Sequence, residues 1–178
     1  MSQGQGALNP AQNYDHLLDV VSGYTGMHDL QYKAEIETDQ VFQRGAVTSL
    51  NANGNLKAGC GDLEMPLFAM NATGDFDVSS DVGNIAGGVV GTYPAIGGYE
   101  FKTTEYVLTE SYFPNDFLTP ATGDDIGKVT KSPADWASQL VCGVVSAGTE
   151  ESLYGQDVLR FWGVFLPPAG VSASSSSA

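Results

Sequence analysis

Basic residues are scarce in this chain: 7 Lys and Arg stand against 21 Asp and Glu, a net charge of −14. So acidic a chain repels phosphate backbones and anionic bilayers, which argues against nucleic acid and membrane surfaces as partners. It suits solubility, or docking onto a basic surface. Cysteine is limited to Cys60 and Cys142, too few for a disulfide framework. Both sit in apolar or Gly-rich, strand-like settings, so they are expected as buried free thiols. Histidine is limited to His16 and His28, and neither lies in an HxxxH or Cys/His pattern. No apolar run reaches the ~18 residues of a transmembrane helix. Met1–Gly6 is polar and lacks the apolar core of a secretory signal. Synthesis in a cytoplasm, without general secretion, is the expectation.

Motifs of chemistry are missing too. There is no GxSxG elbow, no GxxxxGK[ST] phosphate loop and no GxGxxG. Asp75, Asp77 and Asp81 suggest a calcium loop, but its sixth and twelfth places hold Ser80 and Ala86 instead of Gly and Glu. The pairs Asp124-Asp125 and Glu150-Glu151 are adjacent in turn contexts, which does not set two carboxylates on opposite sides of a substrate. The sequence therefore points to no catalytic residue, no metal and no cofactor, and the chain is not expected to be an enzyme.

What is present is glycine, 22 residues of it, together with short alternating segments. Scarce helix formers and frequent turns argue for a β-rich fold. The clearest strand is Asp157–Leu166. Val158, Arg160, Trp162, Val164 and Leu166 share one face; Leu159, Phe161, Gly163 and Phe165 share the other. Both faces are mostly apolar, so the strand is expected to be covered on both sides, by a second sheet or by another subunit. Pro167 and Pro168 end it. Gln139–Ser146 is its partner in character, and Gly143 within it signals a bulge or a close backbone contact.

Before these come further segments. Met1–Leu8 is Gln/Gly-rich and expected to be disordered alone. Asn9-Pro10 resembles a helix start, and Ala11, Tyr14, Leu17, Leu18 and Val21 recur at helical spacing up to Gly23. The alternative for this region is an extended arm that orders only on a partner. Gln31–Glu37 alternates as a half-buried strand. Gln40–Leu50 and Leu56–Cys60 flank the turn cluster Asn51–Asn55 as a hairpin. Pro66–Ala72 is a short strand, and Val78–Gly98 a Gly-rich loop or irregular strand pair. Tyr99–Ser111 alternates with aromatics on both faces. Asp116–Thr130 forms a second hairpin, and Ser132–Asp135 caps one turn around Trp136. This order defines a mainly β fold, an antiparallel β-barrel or sandwich. It divides into an arm or short helix over 1–30, a body over 31–168 and a disordered Ser-rich tail over 169–178.

Aromatic strand residues exceed what one small core readily hides. Tyr99, Phe101, Tyr106, Arg160, Phe161, Trp162 and Phe165 are therefore candidate interface residues. A competing reading uses Trp136, Trp162 or Tyr99 as a stacking platform for carbohydrate.

The segments Asp116–Thr119 (DFLT), Gly123–Thr130 (GDDIGKVT), Val141–Ser146 (VCGVVS) and Leu159–Trp162 (LRFW) share a cadence with a known family. With Arg44–Leu50 and Gly54–Gly59 they resemble the head decoration (cement) proteins of tailed bacteriophages, over roughly Phe42–Leu166. The Gly-rich insertion Val78–Gly98 and the segment after Asn9 depart from that cadence. The resemblance implies a non-enzymatic virion protein on the capsid exterior, with the major capsid protein as partner. It also implies a homo-oligomer, with a trimer favoured. A tail tube subunit or head–tail adaptor is the nearest alternative.

Overall fold

The structure, a computed structural model, describes residues 18–22, 32–70, 89–96, 98–151 and 156–170. Among the described residues eleven strands form two antiparallel sheets. The larger sheet runs β1-β7-β11-β10-β8-β9: Leu18–Ser22, Glu100–Thr103, Asp157–Leu166, Val141–Glu151, Phe117–Pro120 and Val129–Lys131. The smaller runs β2-β6-β5-β3-β4: Tyr32–Glu35, Val89–Pro94, Leu67–Ala69, Val47–Leu50 and Leu56–Ala58. The mainly β expectation holds, as two sheets packed like a sandwich and not as a closed barrel.

Turn chemistry sets the hairpins. The side-chain oxygen of Asn51 accepts the N–H groups of Asn53 (2.8 Å) and Asn55 (3.0 Å), and Gly54 takes the left-handed φ of 82° that reverses the chain. That fixes β3 against β4. The β10–β11 pair is the longest ladder, with two register shifts, between Val141 and Gly143 and between Val145 and Gly148. Such bulges bend and twist a strand, which lets β10 and β11 wrap the core. Each sheet is also tied at an edge by one parallel bridge, Tyr106 to Val129 and Ile36 to Leu56. Edges closed this way offer less ladder to other chains.

The sheets face each other through Phe68 and Tyr93 on one side and Phe101, Phe161, Leu118 and Val145 on the other. Phe68 meets Phe101 at 5.0 Å and Phe161 at 5.2 Å between ring centroids, in tilted contacts that aromatic rings prefer. A second apolar cluster lies on the far face of the smaller sheet, where Phe42 joins Ile36, Leu56, Leu67 and Ala69.

Some expectations need correction. Leu18–Ser22, read as the end of a helix, is strand β1, in register with β7. These five residues are extended, as in the alternative of an arm that orders only on a partner, but the ladder partner is β7 of the same chain, and Val20 and Val21 are β-branched. Residues 9–17 lie outside the described part, as do the tail beyond 170 and most of Val78–Gly98. Within the latter, Val89–Pro94 is a regular strand, not an irregular one. Gln40–Leu50 is extended only from Val47, because Asp39 and Gly45 take left-handed φ values of 65° and 87°. The strand expected over Tyr99–Ser111 stops at Thr103, whose hydroxyl oxygen accepts the Glu105 N–H (3.0 Å) and turns the chain.

Candidate functional site

Register places one group of side chains on the outer face of the larger sheet. Trp162 lies opposite Glu100 on one side and Val144 on the other, and Val144 lies opposite Phe117. One step along, Arg160 lies opposite Lys102. Because side chains alternate along a strand, these residues share the face turned away from the core. Phe101, Phe161 and Leu159 take the positions between them and point inward.

Polar contacts on this face interlock. The Arg160 guanidinium donates from Nε to Glu100 Oε1 (2.6 Å) and from Nη2 to Glu100 Oε2 (2.9 Å). This two-pronged fork fixes both side chains. Glu150 pairs with Lys102, and its other oxygen stands 3.9 Å from Arg160 Nη1. Glu100 is nearly hidden, its side chain 6 % exposed against 29 % for Arg160. Hydrogen bonding to Glu100 holds the Arg160 pKa above its already high ordinary value, so the cation is permanent. Two cations and two carboxylates balance within a chain that is otherwise strongly acidic.

Beside this network the face is apolar and open. Trp162 is 40 % exposed, and Phe117, Val144 and Val164 are half-buried. An exposed Trp next to a fixed Arg is the composition of energetic centres in protein interfaces.

The structure sorts the seven candidate interface residues unevenly. Tyr99, Phe101, Tyr106 and Phe161 are buried in the core of the single chain and are not available to a partner. The two packed sheets absorb more aromatic surface than the sequence suggested. Arg160, Trp162 and the half-buried Phe165 remain on or near the surface. Within the single chain the inner face of β11 is buried, while its outer face is open at Trp162 and closed at Val158. A carbohydrate platform loses Tyr99 for the same reason, and the side chain of Trp136 lies outside the described part. Glu100 was missed. The signal for it was Arg160 itself, since a cation within an apolar strand calls for a carboxylate near it.

A second feature is a cleft of about 660 Å³ lined by Cys60, Glu110, Thr119, Thr130, Lys131 and Leu140 among others. Its polar groups are engaged structurally. Glu110 accepts from the Thr130 hydroxyl (2.8 Å) and the Lys131 N–H (2.7 Å). Lys131 pairs with Asp116 at 2.8 Å and sits 5.6 Å from the centre of the Phe113 ring. Burial, then the charge of Glu64, pushes the Cys60 thiol up to about 12. That thiol is half-buried, not fully buried as expected, yet it is not a thiolate at neutral pH. Cys142 is fully buried, in a core cluster against which Cys60 also packs. His16, His28, Asp75, Asp77 and Asp81 lie outside the described part. Among the described residues no group of three or more His, Cys, Asp or Glu stands ready to hold a metal ion.

Comparison with family models, curated proteins and solved structures finds no match to this chain.

Proposed function

We propose that this chain is a capsid decoration protein, which binds the outside of a tailed-phage head and stabilises the shell against internal pressure. The observation that carries the reading is the outer face of the larger sheet, where exposed Trp162 stands beside the fixed Arg160–Glu100 pair. The strand cadence of the latter half of the chain supports it, and the net charge of −14 suits docking onto basic patches of a shell. On this reading the mechanism is mechanical. A protein that binds only the intact shell shifts the balance toward it, and repeated copies make modest contacts sufficient. The working form is a homo-oligomer, with a trimer favoured, and the partner is the major capsid protein.

Cryo-electron microscopy of virions of a phage that carries this gene tests the reading. Density for the two-sheet body on the shell exterior, at a copy number in proportion to the major capsid protein, is the expected result. A shell exterior without it would reject the proposal. A small fixed copy number at the neck or tail would move the chain to the adaptor or tail tube class.

A further inference from the structure

Strand β1 forms one edge of the larger sheet. It is an edge strand of five residues, Leu18–Ser22, and pairs with β7 alone. Its ladder slips between Val20 and Ser22. Leu18 and Val20 reach the core cluster but are only partly buried. Beneath them lies a pocket of about 200 Å³ lined by Leu18, Val20, Arg44, Met70 and Tyr93. On that side Leu18 and Val20 border a pocket and are not packed against protein. The next strand, β2, begins at Tyr32 in the other sheet, so nine residues, 23–31, separate β1 from the rest of the body. A chain of that length spans up to ~30 Å when extended.

We propose that β7 is a strand-acceptor edge that takes β1 from a second copy of this chain as well as its own. The occupant follows from the register: Leu18 against Thr103, Asp19 against Lys102 and Val20 against Phe101 already fit this edge. A second copy presents the same segment to the same partners, so the exchanged and unexchanged contacts are identical. Which form prevails then depends on concentration. A strand joined to its acceptor within one chain meets it at an effective concentration on the order of millimolar. Dilute chains keep their own β1, and chains crowded on a surface exchange it, as in domain swapping. Exchange depends on the chain alone and goes beyond shell binding.

The test mixes two single-site variants, Asp19→Cys in one chain and Lys102→Cys in the other. Both carry Cys60→Ser and keep Cys142, whose buried thiol is shielded from solvent. A disulfide between positions 19 and 102 can then form only between chains. Mild oxidation with a small-molecule disulfide exchanges electrons with the two thiols, which become one protein disulfide while the reagent leaves as two thiols. Peptide mass spectrometry reads the 19–102 link in samples from micromolar to millimolar chain. Leu108→Cys, on an exposed site away from this edge, replaces Lys102→Cys in the control. The expected result is a 19–102 link that grows at least about tenfold over that range and exceeds the 19–108 link. A 19–102 yield no higher than 19–108 at every concentration would overturn exchange. Because no shell is present, that failure would leave the decoration reading to its own test.

Discussion

Arg160 reaches diagonally across the β7–β11 ladder and grips both carboxylate oxygens of Glu100, at 2.6 and 2.9 Å. The pair links two strands on the face that carries Trp162. It holds a nearly hidden carboxylate that water cannot serve well.

Replacing Arg160 by Met therefore removes both prongs of the fork that serves the Glu100 charge. The expected loss is about 1–3 kcal/mol of folding stability, toward the lower end because Arg160 keeps partial contact with water. Replacing both residues, Arg160→Met with Glu100→Leu, should recover most of that loss, since it removes the buried carboxylate together with its cation. Urea denaturation midpoints of the two variants and the parent measure both effects.

Gly143 and Gly163 are required by space. A Cβ built at Gly143 meets the Phe161 ring at 2.6 Å, and one at Gly163 meets the Phe101 ring at 2.7 Å. Neither ring can yield, because both pack against Phe68 between the sheets. Gly143→Ala and Gly163→Ala should each cost about 1–3 kcal/mol. Thermal unfolding of each variant reads the cost, and an unchanged midpoint would show that the sheets pack less closely here.

Both thiols should resist reagents in the folded chain. Burial raises Cys60 to about 12, and complete burial, then the neighbouring Cys60, raises Cys142 as well. At pH 8 a disulfide reagent is expected to label neither within the time it labels both in denaturant. As pH rises, labelling of Cys60 should climb about tenfold per unit while Cys142 stays closed, because only Cys60 borders the cleft.

Acid should weaken the fold through Glu64 and Asp116. Burial alone would raise both, but bonding outweighs it. Lys57, the Gly61 N–H and Ser49 lower Glu64; Lys131 and the Phe113 N–H lower Asp116. A carboxylate with a lowered folded pKa contributes stability that is present in full above its unfolded value, near 4. That contribution disappears as pH falls through the lower folded value. Denaturation midpoints should hold from pH 7 to about 5 and decline below about 4. Glu64→Gln and Asp116→Asn should each flatten the decline.

Much of the fold could be read from local pattern. The Asn51–Asn55 turn, the Asp116–Thr130 hairpin and the full length of β11 all follow from turn residues and period-two alternation. The failures were tertiary. Val20 and Val21 fit a helical spacing, and only the presence of β7 makes them a strand. Tyr99, Phe101, Tyr106 and Phe161 looked like surplus aromatics because no pattern reveals that two sheets meet around them. Trp162 could be placed on the face opposite Phe161 by counting, but its exposure depends on what does not cover β11. The Glu100 partner of Arg160 lies 60 residues away, beyond the reach of spacing arguments.

The most direct test of the proposed role is the affinity of Trp162→Ser for head shells of a phage that carries this gene, with the folded state checked by its denaturation midpoint. Trp162 is already 40 % exposed, so the fold should survive. The account predicts a stable variant that binds roughly thirtyfold or more weakly, the mark of an interface centre worth about 2 kcal/mol. A folded variant that binds shells as tightly as the parent would contradict it.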